Sequence, residues 1–222
     1  MRVVIFGATG MVGQGVLREC LRDPQVTRVL AVGRRPTGMS HPKLAELVRR
    51  DFFDWGDAGD ALAGYDACFF TLGVSSAGMS EADYTRMTYD LTLAAASALA
   101  QANPRMTFVY VSGAGTDSTE RGRMMWARVK GRTENALLRL PFRAAHMFRP
   151  GMIEGVDGVR PSNALYRRSY IVLHPVIALA RRLFPNQVVT TAEVGRAMVR
   201  VAREGYARPV LERADIAALA RK

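Results

Sequence analysis

At 222 residues, 49% hydrophobic and +11 in net charge, the chain has the length of a single domain able to bury a sizeable core. No stretch approaches the roughly 20 uninterrupted apolar residues that span a bilayer, and the first apolar run, Val3 to Phe6, reads as a core strand rather than a secretory signal. Charge is unevenly placed, with 11 basic and 13 acidic residues in 1–120 against 20 and 7 in 121–222, yet no zinc-finger or RRM-like signature accompanies the basic half, so no nucleic-acid partner is expected.

The sequence opens MRVVIFGATGMVGQG. Val3, Val4, Ile5 and Phe6 end abruptly at Gly7, the pattern of a strand buried on both faces of a parallel sheet. Gly7, Gly10 and Gly13 follow, then Val16 and Leu17 at helical spacing. A strand, a glycine turn and a helix start aim backbone N–H groups and the positive end of a helix dipole at one place, an anion site. Gly7 permits the turn, Gly10 lets a pyrophosphate approach and Gly13 lets the helix pack on the strand. The strand–turn–helix context predicts a dinucleotide site, with Thr9, Met11 and Val12 as further cofactor contacts.

Asp23-Pro24 breaks the first helix, and Val26 to Val32 reads as a second strand leading to Gly33, Arg34 and Arg35. Sites that prefer NAD place an acidic residue about 20 residues past the loop, where it accepts from the ribose 2′-OH. Here two guanidinium groups stand instead, suited to a 2′-phosphate through charge-assisted hydrogen bonds. NADP is expected over NAD, with a solvated arginine pair as the alternative.

Residues 44–50 fit a short helix or a strand; a third parallel strand ending there would bring Asp51 and Phe52 to the adenine. Asp57 to Leu62 predicts a short helix with Asp57 near its cap. ACFFTLG predicts a fourth buried strand, with Thr71, Leu72 and Gly73 at the carboxyl end of the sheet, where ligands bind in open α/β folds. Ser80 caps a long helix over 81–102, stopped by Asn103-Pro104. MTFVYVSG is a fifth strand ending at Ser112, a helix lies within 120–140, and FRAAHMFRPG is a sixth strand.

Beyond Gly151 the rhythm changes. Residues 163–184 carry apolar positions broken by arginine pairs, with Pro175 inside. Burial is the default for them; a pocket cover, a dimer face or a membrane-resting face are the alternatives. Thr190 and Glu193 predict a capping box for a helix running to Glu204, and a last helix spans 212–221. The alternation argues an α/β fold with a doubly wound, Rossmann-like parallel sheet. One domain covers 1–222, with 151–222 as a small C-terminal helical substrate or cover region.

GATGMVG, VGRR, the TLG after strand four, VYVSGAG, the VKG of the fifth helix and FRPG resemble, in that order, the short-chain dehydrogenase/reductase superfamily in its atypical, epimerase-like branch. The resemblance is strongest over residues 1–155. It is similar in particular to Tat-interacting-protein oxidoreductases and to NmrA-type proteins, some of which sense the cofactor rather than turn it over. The resemblance implies that Lys130 holds the nicotinamide ribose, that Ser112 polarises a carbonyl, and that Pro150, Gly151 and Met152 pass close to the nicotinamide. That superfamily's Tyr-x-x-x-Lys pair shares one helix face, but its tyrosine position is Trp126 here. An indole N–H only donates and has no acid–base role at neutral pH. The implied function is an NADP(H)-binding oxidoreductase or epimerase-like protein acting on a small carbonyl or hydroxyl substrate. A non-catalytic NADP(H)-sensing protein is the alternative.

His41, His146 and His174 lack ligand spacing, and no metal site is expected. Cys20 and Cys68 read as buried thiols of a reducing cytoplasm. The basic half reads as a solvated arginine-rich surface, with a phosphorylated ligand as the alternative. Arg149 is either solvated or paired with a carboxylate. No membrane association is expected, and a homodimer or a protein partner is left open.

Overall fold

A computed structural model describes residues 1–56, 58–159 and 188–221. Its first strand, β1 (Arg2–Phe6), is an inner strand of a seven-stranded parallel sheet. The other members are β2 (Arg28–Gly33), β3 (Leu44–Val48), β4 (Ala67–Phe70), β5 (Thr107–Val111), β6 (Ala144–Arg149) and a late strand at Val210–Glu212. The spatial order is β3, β2, β1, β4, β5, β6 and then the late strand. Order therefore reverses between β1 and β4, which opens a crevice at the carboxyl ends of those two strands.

Period-two alternation builds two cores from one strand. Val3 and Ile5 join Val16, Leu17, Val194 and Met198 on one face, while Val4 and Phe6 join Phe70, Leu99 and Leu137 on the other. Residues 44–50, open to two interpretations in sequence, form the edge strand β3, paired with β2 from Leu44 to Val48.

Helix α1 (Met11–Arg22) follows the glycine turn, and α2 (Gly59–Leu62) is a single turn. Asp57, expected near the cap of α2, lies outside the described residues. Ser80 caps the next helix as expected, its hydroxyl accepting from Asp83 N at 3.1 Å. That helix is not uniform: α3 (Glu81–Thr85) passes through a π-helical turn at Arg86–Asp90 into α4 (Leu91–Ala102). Such turns carry one extra residue and re-aim side chains, often beside functional sites. Helix α5 (Met125–Leu137) precedes β6.

Past β6, Met152–Glu154 forms β7 and pairs in parallel with β8 (Val188–Thr190) as a small second sheet. Thr190 then closes the expected capping box with Glu193 and starts α6 (Thr191–Glu204). The late strand of the main sheet is β9 (Val210–Glu212), and α7 (Arg213–Arg221) follows. Within 151–222, expected as a small helical substrate or cover region of the single domain, the described residues form strands as well as helices. Residues 188–221 belong largely to the central architecture: β9 extends the sheet beside β6, and α6 packs on α1. Contact between α1 and α6 is close enough that a Cβ on Gly15 would lie 2.5 Å from Thr191 Cβ. The expected apolar and arginine pattern at 163–184, with Tyr166, Tyr170 and His174, lies outside the described residues.

Several arginines of the basic half are neutralised within the fold. Arg196 reaches Glu19 at 3.5 Å, Arg200 and Arg203 share Glu204, and Arg208 meets Asp215. Among the described residues no helix is long and apolar enough to cross a membrane.

Candidate cofactor and active site

The loop after β1 is fixed by contacts that only glycine permits. Gly7 has φ +84°, and a Cβ there would stand 2.9 Å from Leu72 N. A Cβ on Gly13 would fall 2.0 Å from the Gly7 carbonyl oxygen, so the first turn of α1 rests directly on the turn. The Thr71 amide and hydroxyl both donate to Phe6 O, at 2.9 and 2.6 Å, and clamp the end of β4 to the end of β1. Thr71 is thereby a buttress of the loop. The first helical bond runs from Gln14 N to Gly10 O at 2.8 Å, leaving the N–H groups of Met11, Val12 and Gly13 ahead of it. No acidic residue sits in that first turn and no side chain caps it. The turn is therefore a positively polarised cradle for an anion.

Above the cradle lies a cavity of about 400 Å³ at the carboxyl ends of β1 to β4. Gly7, Thr9, Gly33, Arg34, Arg35, Phe52, Leu72 and Gly73 line it, and Met87 and Leu91 enter from the π turn and the start of α4. A Cβ on Gly73 would meet nothing within 4 Å, so the wall there is open. Phe52 is held by edge contacts with Phe6 and Trp55, at 6.3 and 5.6 Å between centroids. Asp51 stands outside this lining: its carboxylate accepts from Phe53 N at 2.7 Å and shapes the loop after β3.

Sequence reasoning missed Arg50, the third guanidinium on this wall. The run Arg49-Arg50 gave no sign of which side chain faces the ligand. Arg49 turns away, donating to Asp54 O at 2.8 Å and lying over Trp55. Among the described residues no carboxylate lines the cavity, and none pairs with Arg34, Arg35 or Arg50.

The expected catalytic end lies further along the sheet, on β5, α5 and β6. Ser112 is buried just past β5, its amide bonded to Phe148 O at 2.8 Å. Its hydroxyl is 3.0 Å from that of Thr116, which itself donates to Gly113 O at 2.7 Å. Thr116 has one proton and spends it on Gly113, so Ser112 donates to Thr116. Lys130 Nζ lies 3.5 Å from the Tyr110 hydroxyl and 5.2 Å from that ring's centroid. Burial lowers the Lys130 pKa to about 8, and the Glu134 charge one turn on opposes the shift. Trp126, one turn before Lys130, packs against the loop after β5: Cβ atoms on Gly113 and Gly115 would sit 3.8 and 3.6 Å from its ring. An indole thus covers the loop beside Ser112.

Arg149, left open between solvent and a carboxylate, pairs with Glu134. Its Nε donates to Glu134 Oε1 at 3.0 Å and its Nη2 donates to both Glu134 Oε2 and Ser118 Oγ. The fork turns Arg149 away from solvent and ties β6 to α5. Pro150 is buried, Gly151 has φ +69° with its Cβ direction facing Ala114, and Met152 is exposed at the start of β7. The turn after β6 therefore lies beside the loop after β5. Cys20 and Cys68 are free and buried, and burial raises both thiol pKa values. His41 and His146 stand apart, and among the described residues no group of His, Cys, Asp or Glu could hold a metal ion.

Residues 7–144 match the family model described as NAD(P)H-binding. The chain is 31% identical over 173 residues to a protein named "fmp52, mitochondrial" of Emericella nidulans, covering 74% of this chain and 72% of that one. It is 28% identical over 222 residues to an fmp52-2 protein of Aspergillus oryzae, covering 98% and 96%. Both are named as mitochondrial, which overturns the expected cytoplasmic location. Two free, buried cysteines do not single out the cytoplasm. In fold, the chain matches a short-chain dehydrogenase/reductase family oxidoreductase from Burkholderia thailandensis with a TM-score of 0.71 at 16% identity, covering 98% of this chain and 92% of that one. It also matches a UDP-N-acetylglucosamine 4-epimerase from Methanobrevibacter ruminantium with a TM-score of 0.70 at 17% identity, covering 95% and 75%. The chain belongs to the NAD(P)H-binding family, on the Rossmann-like fold of the short-chain dehydrogenase/reductase and epimerase proteins.

Proposed function

We propose that the protein is an NADP(H)-dependent oxidoreductase acting on a small carbonyl or hydroxyl compound. One observation carries the choice of cofactor: Arg34, Arg35 and Arg50 line a cavity to which no carboxylate among the described residues contributes. A ribose 2′-phosphate is matched by guanidinium forks, whereas a 2′-hydroxyl is matched by an acidic acceptor. The glycine cradle fits the rest of the dinucleotide, since there the backbone leaves both free N–H groups and room for a pyrophosphate.

Bound NADP(H) supplies or accepts a hydride. The residues of the chain handle position and proton. Ser112, whose hydroxyl proton points to Thr116, rotates that proton toward a substrate oxygen and polarises it. Lys130 donates to ribose hydroxyls from α5. With its pKa lowered to about 8, it also carries an exchangeable proton close to neutral pH, a role that Trp126 cannot fill.

The test is binding of NADP⁺, NADPH, NAD⁺ and NADH followed by melting temperature. A hundredfold excess of NADPH over Kd should stabilise the fold by about 2.7 kcal/mol, with NADH weaker at equal concentration. Absence of stabilisation by either phosphorylated form ends this reading. Oxidation of NADPH in the presence of small aldehydes and ketones then tests the reaction.

A second reading, NADP(H) binding without turnover, is favoured by the indole of Trp126 over the loop beside Ser112. Tight NADPH binding, no turnover across the carbonyl panel, and equal NADPH affinity in wild type and Lys130→Met would establish it.

A further inference from the structure

The loop between β2 and β3 holds one carboxylate close to the arginines. Glu46, on β3, lines a small pocket together with Arg35 and Thr37, and Arg35 lines the large cavity as well. An Arg35 held in an ion pair with Glu46 would be lost to a phosphate. The structure shows a different partner. The Glu46 carboxylate accepts from Thr37 N at 2.7 Å and from Thr37 Oγ1 at 2.5 Å, both on Oε1. Thr37 Oγ1 also accepts from Met39 N at 3.2 Å, so the same hydroxyl shapes the loop. Register places Glu46 opposite Ala31, on the sheet face that carries α1, and Arg49 N bonds to Gly33 O at 3.0 Å to close the β2 and β3 ends together.

We propose that Thr37 is a specificity-positioning residue: by occupying the Glu46 carboxylate it keeps Arg35 free for the 2′-phosphate of the cofactor. The inference rests on the NADP(H) reading above. Two donors from one residue hold Glu46 Oε1 locally, and Arg35 is left lining the cavity with Arg34 and Arg50. Without the hydroxyl, Glu46 retains only the backbone donor and turns its charge to Arg35. The penalty then falls on phosphorylated nucleotides, because the unphosphorylated forms make no use of Arg35.

Affinities for NADPH and NADH measured on wild type, Thr37→Val, Glu46→Gln and the double variant test this. Thr37→Val should weaken NADPH about fivefold, the scale of an exposed ion pair, and leave NADH unchanged. Glu46→Gln keeps an acceptor for Thr37 and removes the charge, so it should bind NADPH at least as well as wild type. The double variant should recover wild-type NADPH affinity, because a neutral glutamine cannot capture Arg35. Equal losses for both nucleotides in Thr37→Val, or a double variant as weak as Thr37→Val, would show a loop effect and overturn the proposal. Selective loss of NADH in Glu46→Gln would assign Glu46 to a ribose hydroxyl and overturn it too. A wild type that binds NADH as tightly as NADPH instead defeats the cofactor reading itself.

Discussion

Lys130 on α5 and Tyr110 on β5 meet inside the protein, with Nζ 3.5 Å from the phenol oxygen and over the ring face. Tyr110 is fully buried, and burial raises its pKa. The phenol therefore stays neutral and offers Lys130 an acceptor without a charge. Trp126 removes the helix-borne phenol, while a phenol from the neighbouring strand still touches the lysine. The two tyrosine positions are not equivalent: the one on β5 lies within the core with Phe70 and Phe108 and is closed to a substrate.

This pair makes stability depend on alkaline pH. The Lys130 pKa is lowered from 10.5 to about 8, so the unfolded chain binds more protons than the folded one between those values, and stability rises with pH across that window. Below pH 8 the buried cation carries its full cost, roughly 3 kcal/mol. Lys130→Met should lack this rise. Urea unfolding of both proteins at pH 7 and pH 9.5 should show wild type gaining on the variant; parallel curves would contradict the buried-cation account.

The glycine loop separates steric from ligand effects. Gly13→Ala drives a Cβ to 2.0 Å from Gly7 O, backbone that cannot yield without moving the turn. It should cost about 3 kcal/mol or more, the range of severe overpacking, and abolish nucleotide binding. Gly15→Ala clashes instead with Thr191 on α6, away from the cradle. It should destabilise the fold and leave nucleotide affinity in the folded fraction near wild type. Gly73→Ala meets nothing within 4 Å and should preserve stability. Thermal melts and nucleotide titrations of the three variants check the order.

What sequence made legible follows from how local each signal is. The β1 loop, the Ser80 cap and the Thr190–Glu193 capping box depend on residues a few positions apart, and each stands where its spacing puts it. Strand β9 has three residues and no run of its own; it exists because Met147, Phe148 and Arg149 offer it an edge from more than 60 positions away. The π turn at Arg86–Asp90 interrupts an otherwise uniform helical pattern and leaves no periodic trace. Arg50 and Tyr110 were missed as site neighbours because their relevance depends on which face of a strand end or sheet they occupy, and one residue of register decides that. The bond from the Thr71 hydroxyl to Phe6 O joins residues 65 positions apart and has no local signal in the sequence.

Arg149 and Glu134 form a buried fork whose side chains are 11% and 1% exposed. Removing Glu134 leaves the buried Arg149 with only the exposed Glu212 carboxylate, at 3.3 Å, and the Ser118 hydroxyl as partners. Glu134→Ala should cost roughly 3–5 kcal/mol, and Arg149→Lys should recover little, because an ammonium cannot reproduce two parallel donors. The Glu134 pairing raises the Arg149 pKa further, so the arginine stays charged throughout. Urea midpoints at pH 7 measure the losses; near-wild-type stability of Glu134→Ala would show that the fork is dispensable.

His146 gives the acid side of the same argument. It lies buried in β6, paired in register with Val109 of β5, and burial holds its pKa below the ordinary 6.5 despite a partial offset from the Arg208 backbone. Above pH 6.5 the ring is largely neutral in both folded and unfolded chains and adds no pH dependence. As pH falls below 6.5 the unfolded chain takes up a proton that the folded ring resists, so stability drops. His146→Leu keeps an apolar side chain of related size in the sheet and cannot titrate. Urea midpoints at pH 7 and pH 5 should fall further in wild type than in His146→Leu, a window above most carboxylate titrations. An equal fall in the two proteins would place the acid sensitivity elsewhere, since only wild type carries a ring to protonate at this position.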